Sequence, residues 1–80
     1  MFTSNELRLL RHSRQMKQVE VAGKMNIKKQ RYSQLENNDK RPVERTIQIV
    51  KILGYTPESA RKYLDNIPLP IKYIQTSFDN

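Results

Sequence analysis

The sequence predicts an all-α domain of five short helices followed by a C-terminal tail. Three observations predict it. Apolar residues recur at i, i+3 and i+4 almost throughout, the period of a helix. Capping residues, a proline at a first-turn position and Gly or Asn at helix ends punctuate that pattern. The chain has 80 residues with two glycines, four prolines and no low-complexity stretch or repeat. That length holds one domain and one small core, with no room for a deep cleft between two lobes. The expected division is a helical domain over residues 1–65 and a tail over 66–80.

The first helix opens on a capping box, Thr3-Ser4-Asn5-Glu6, with Thr3 as N-cap and Glu6 reaching back. Phe2 and Leu7 take the two hydrophobic-staple positions. The helix runs to about Ser13 with Leu7 and Leu10 inward, and Arg8, Arg11 and Arg14 form a basic stripe. The second helix runs from about Lys17 to Met25. Val21 and Met25 are i,i+4 partners, and the small Ala22 permits close approach of another helix. Gly23 lies inside it at a cost of roughly 1 kcal/mol relative to Ala. Asn26 suits a left-handed turn. Ile27 resumes the core, and a third helix runs from about Lys28 to Asn37, with Tyr32 and Leu35 inward. Asn37-Asn38-Asp39 is a loop.

The fourth helix starts near Pro42 and stops at Gly54. Val43, Thr46, Ile47, Val50 and Leu53 share its inner face, with Ile52 opposite and Ile49 marginal. The fifth begins at Thr56-Pro57-Glu58 and ends near Asp65. In the tail, Ile67-Pro68-Leu69-Pro70 is extended, because each proline pushes its predecessor out of the helical region. Ile71, Ile74 and Phe78 then read either as a helix face or as part of a strand. The tail either docks on its own domain or serves dimerisation or a protein partner.

Fifteen Lys/Arg against eight Asp/Glu give a net charge of +7. The excess is concentrated: residues 1–45 hold eleven bases and five acids, a balance of +6. Such a domain expects a negatively charged partner. There is no cysteine and one histidine, which excludes a thiolate zinc site, a Cys nucleophile and a His-rich metal site. No acid–base dyad, nucleophile–base pair or Gly-rich phosphate loop is present, so no enzyme and no cofactor are expected. No apolar run approaches the ~18 residues of a membrane span. The N-terminus lacks a signal-peptide hydrophobic block, so the expected location is the cytoplasm, at a bacterial or phage nucleoid.

The third helix presents Lys29, Gln30, Ser33, Gln34 and Asn37 to solvent, with Arg31 on the shoulder. None is a general acid or base near neutrality. All donate hydrogen bonds, and the amides also accept. Gln pairs with adenine N6/N7, and Lys with guanine O6/N7. An ordinary polar surface helix has the same composition, so this helix alone leaves both readings open. Its surroundings favour the first. Val21, Ala22, Met25, Asn26, Ile27, Tyr32 and Leu35 have the spacing of two short helices joined by a tight turn.

The ordered set Leu7-Arg8-x-Leu10-Arg11, Gln18-x-x-x-Ala22-x-Lys24-Met25, Ile27, Leu35-Glu36-Asn37 and Ile47-x-x-Val50-x-x-Leu53-Gly54 resembles the Xre/Cro/phage-repressor helix-turn-helix family. The resemblance covers about residues 5–65. It implies a compact five-helix lambda-repressor-like domain that binds double-stranded DNA. It further implies that Gln18 bonds a phosphate and that Lys29, Gln30 and Gln34 read bases. By the same resemblance, Asn37, Lys40 and Arg41 follow the DNA backbone, and Arg11 and Glu36 form a structural ion pair. Lys28 and Arg31 would also hold phosphates, and Ser33 adds to the base-reading face. The chain departs from the family at Gln15, Asn26 and Asn38, where glycine is usual. Lys17 and Lys28 stand where Ser or Thr usually caps a helix. Neither can accept from a backbone N–H; both point toward where phosphate would lie, so an anion is expected to complete those helix ends.

The function this implies is a sequence-specific regulator, acting as a homodimeric repressor on an inverted-repeat operator. The competing expectation is an antitoxin-type protein whose helix-turn-helix autoregulates while its tail binds a partner protein. A single-stranded RNA binder would need an exposed aromatic platform, which the sequence lacks.

Overall fold

The structure is a computed structural model that describes residues 1–67. Five α-helices follow one another: α1 (Ser4–Ser13), α2 (Gln18–Lys24), α3 (Lys29–Glu36), α4 (Val43–Ile52) and α5 (Pro57–Asp65). Ile67 is buried. The expectations for Pro68, Leu69, Pro70, Ile71, Ile74 and Phe78 lie outside the described residues.

The start of α1 is a complete capping box. Thr3 Oγ1 accepts from Glu6 N at 3.1 Å, and Glu6 Oε1 accepts from Thr3 N at 3.0 Å. Both staple residues, Phe2 and Leu7, are buried. Thr56 caps α5 similarly, with Ser59 returning the bond to Thr56 N at 2.9 Å. Neither Lys17 nor Lys28 gives α2 or α3 a side-chain cap. At α2, Glu20 Oε1 reaches back to the Lys17 N–H at 2.9 Å.

Three helices end alike. Gln15, Asn26 and Gly54 follow α1, α2 and α4 with φ of 54°, 59° and 85°. Each lets the next residue turn back: Met16 N bonds Arg11 O, Ile27 N bonds Ala22 O, and Tyr55 N bonds Val50 O, at 3.2, 3.0 and 3.1 Å. These are Schellman endings, which satisfy carbonyls a helix terminus leaves open. Met16, Ile27 and Tyr55 then pack against the core, partly buried. The three turns are therefore also the points where the chain re-enters the apolar interior. Asn38, where the family usually has glycine, makes no left-handed turn. It has no positive φ, and its Oδ1 accepts from Lys40 N at 2.9 Å.

The core gathers Leu7, Leu9, Leu10, Val21, Ala22, Tyr32, Leu35, Ile49, Val50, Leu53, Ala60 and Leu64, among others, from all five helices. Burying each large aliphatic chain contributes about 1.5–3 kcal/mol. α2 and α3 pack most closely on each other, while α1 touches α3, α4 and α5. The inward faces of α4 and α1 need correction. In α4 the buried set is Thr46, Ile49 and Val50, continued by Leu53. Val43 is 54% exposed, and Ile47 and Ile52 are half-buried. Periodicity fixed Thr46, Val50 and Leu53, but it left the flanking positions to how far the helix rolls on its neighbours. Leu9 is buried as well. The basic stripe on α1 dissolves: Arg11 is fully buried, Arg8 bonds Asn37 Oδ1 at 2.7 Å, and Arg14 Nε bonds Leu53 O at 2.8 Å.

Candidate nucleic-acid interface

The joint of α1, α2 and α3 is one carboxylate. Glu36, fully buried, accepts four hydrogen bonds. Arg11 Nε reaches Oε2 at 2.8 Å and Arg11 NH2 reaches Oε1 at 3.1 Å. Gln18 Nε2 donates to Oε1 at 3.0 Å, and the Tyr32 hydroxyl donates to Oε2 at 2.7 Å. A buried charge is tolerated only when paired and fully hydrogen-bonded. Arg11 also donates to Met16 O at 3.1 Å, so the pair holds the α1–α2 turn too. Burial first, and the Glu36 charge second, push the Tyr32 phenol far above its ordinary value.

With Glu36 sunk in this joint, the outer side of α3 carries no acid. Gln30, Arg31, Gln34 and Asn37 are exposed, and Lys29 and Ser33 are half-buried. Gln18, Lys29, Gln30 and Ser33 line a shallow hollow where the start of α2 meets α3. Lys17, Lys28 and Lys40 are exposed, at the N-caps of α2 and α3 and in the loop after α3. Among the described residues, Lys17, Lys28, Lys29, Arg31 and Lys40 have no acidic side chain within salt-bridge distance. Apart from Glu44, which is exposed in the first turn of α4, the other acids of this half are used elsewhere. Glu6 pairs with Arg61 at 2.8 Å, and Glu20 closes α2. Asp39 Oδ1 accepts from Ser4 N at 2.7 Å and Ser4 Oγ at 2.9 Å. The Ser4 backbone bond, then its hydroxyl, hold the Asp39 carboxyl below its ordinary value.

Two residues expected at phosphates are turned inward. Arg41 is 6% exposed and donates to Leu35 O, Glu36 O and Phe2 O at 2.9, 3.1 and 2.8 Å. Its guanidinium is consumed by main-chain carbonyls inside the domain. Gln18 is likewise 6% exposed, with its amide nitrogen on Glu36. Asn37 is exposed but engaged, accepting from Arg8 and donating to Ser33 O at 3.0 Å. Sequence reasoning missed the Tyr32 hydroxyl as a partner of Glu36. The i,i+4 spacing of the two was the available signal. It also missed Ser4–Asp39, which no local spacing announces.

Two short helices joined by a left-handed turn, the second one bearing amides and cations outward, define a DNA-binding protein of the helix-turn-helix class. A family model described as helix-turn-helix matches residues 7–59, and the chain belongs to this Xre/Cro-like family of regulators. No curated protein and no solved structure matches it. No helix of the described residues is long and apolar enough to cross a membrane.

Proposed function

We propose that the protein is a sequence-specific transcriptional repressor that binds an inverted-repeat operator as a homodimer, at a cytoplasmic nucleoid and without a cofactor. α3 enters the major groove, where Lys29, Gln30, Ser33 and Gln34 meet base edges. Lys17, Lys28, Arg31 and Lys40 lie along phosphates. The Asn37 side chain buttresses the end of α3 and meets the backbone only at its exposed edge. Two copies place their third helices in successive major grooves about 34 Å apart. The observation that carries this reading is the outer side of α3: amides and cations with no acid among them, set on a joint that withdraws Glu36 completely.

The test is selection of bound duplexes from a random DNA library at about 50 and 200 mM salt, a range over which counterion release weakens non-specific binding steeply. Enrichment of one inverted repeat that persists at the higher salt supports the reading. Salt-sensitive binding with no enriched sequence rejects it and favours an antitoxin-type role, with the segment after Ile67 as the partner-binding part. On the selected duplex, Gln30→Ala should cost about 1–3 kcal/mol, and on random DNA almost nothing. Equal losses on both would rule out base reading by Gln30.

A further inference from the structure

The end of α3 is built unlike the ends of α1, α2 and α4. It has no left-handed residue to fold the chain back on its open carbonyls. The carbonyl of Leu35 accepts from Asn38 N at 3.3 Å and also from Arg41, and that of Glu36 accepts from Arg41, five residues beyond the helix. A guanidinium suits this place: it carries positive charge at the negative end of the helix, and its rigid fork serves several acceptors at once. The third arm of the fork reaches Phe2 O, at the entrance to α1.

The same loop is fastened to the same entrance twice more. Asn37 Oδ1 holds Arg8, and Asp39 Oδ1 holds the main chain and hydroxyl of Ser4. Alternate residues 37, 39 and 41 thus meet residues 8, 4 and 2, running in opposite directions. Between them, Asn38 and Lys40 are exposed.

We propose that Arg41 is a positioning residue, which sets the seating of α3 against the start of α1 and takes no DNA phosphate. This rests on the DNA-binding reading above. Arg41 can reach a phosphate only by abandoning three carbonyls, two of them at a helix terminus with no other side-chain partner among the described residues. Its effect on DNA is therefore on specificity: base edges are met only when α3 sits at the right depth, whereas phosphates tolerate small shifts. Lys40, one residue earlier and exposed, is the loop's cation for the backbone.

The full chain and its Arg41→Ala, Arg41→Lys and Lys40→Ala variants are compared on the selected duplex and on random duplex across a salt series. Amide hydrogen exchange of the free proteins is followed at Asn37 and Asn38. Arg41→Ala is expected to lose about tenfold on the selected duplex and under about twofold on random DNA, with an unchanged salt slope. Its Asn37 and Asn38 amides should exchange about tenfold faster without DNA, since local opening is what exchange reads. Lys40→Ala should reduce the salt slope by about one per protomer and weaken both duplexes alike. Arg41→Lys keeps the charge but not the planar fork, so it should behave like Arg41→Ala. It also serves if the alanine variant does not fold. A reduced slope for Arg41→Ala, or full binding and normal exchange in Arg41→Lys, overturns the proposal. If the unaltered protein binds no duplex, the DNA reading falls. The exchange measurement then decides Arg41 alone: faster exchange sustains its seating role, and unchanged exchange removes it.

Discussion

A single phenol shows how tightly the joint is made. Tyr32 sits in the core with its hydroxyl 2.7 Å from a buried carboxylate oxygen. Tyr32→Phe keeps the packing and removes one donor to a charge, so it should cost about 1.5–3 kcal/mol in urea unfolding. The pH dependence has a definite sign. Burial raises the folded phenol above its ordinary 10.0, so the folded state keeps the proton after the unfolded chain has released it. The stability this confers is complete below pH 10 and is lost as pH rises beyond it. Tyr32→Phe should therefore flatten the alkaline decline, and identical declines for the two proteins would contradict the assignment. At this scale the sequence was partly legible. Tyr32 could be placed inward from helix phase, and Lys29, Gln30 and Gln34 outward, whereas Arg11 read as one of a basic stripe and its pairing with Glu36 came only from the family resemblance. Arg41 and Gln18 could not, because a polar chain's direction depends on which carbonyl or carboxylate the fold brings within its reach.

The helices themselves were legible within a residue or two at each end, because their boundaries are written in local chemistry: Thr3 with Glu6, Thr56 with Pro57, Asn26, Gly54. The glycines are less well placed. Gly23 is helical, and nothing lies within 4 Å of a Cβ built there. Gln15 holds a φ of 54°, where glycine rests without strain. Gly23→Ala should stabilise by about 1 kcal/mol, and Gln15→Gly should also stabilise by relieving a conformation that costs an L-residue roughly 1–2 kcal/mol. Together they should raise the melting temperature by several degrees, about 4–8 °C per kcal/mol in a domain of this size. No rise would mean that these positions are compensated in ways their contacts do not reveal. Lys28 offers a contrasting case. Lys28→Thr supplies α3 with a side-chain cap worth about 1 kcal/mol while deleting an exposed charge proposed above to meet phosphate. The variant should melt higher yet bind DNA more weakly and with a shallower salt slope. A rise in both stability and affinity would remove Lys28 from the interface.

For the whole molecule, charge was legible as a total and opaque as a distribution. The count showed a basic first half; it did not show that Arg8, Arg11, Arg14 and Arg41 are occupied by the fold while the lysines and Arg31 are left outward. Acids that would repel a polyanion are occupied too, at Glu6, Glu20, Glu36 and Asp39. The arginines tied into the fold use forks that suit several acceptors, while the compact, strongly hydrated lysines and Arg31 stay outside. A dimer engaging about six phosphates this way should lose roughly a thousandfold in affinity between 50 and 200 mM salt. A much shallower dependence, measured by fluorescence anisotropy on the selected duplex, would mean that fewer of these cations reach the backbone.

The four-bond carboxylate at the centre of this arrangement also divides the residues into those free to vary and those that are not. Helices of seven and eight residues do not persist alone in water, and without α1 the carboxylate would lose its arginine. The reading unit is therefore not transplantable as a fragment. Its outer side is nearly independent of that support: Lys29, Gln30 and Gln34 hold none of the bonds that seat the helix. On the base-reading proposed above, a lineage could exchange those three side chains, and with them the DNA sequence it answers to, while the folding problem stays solved.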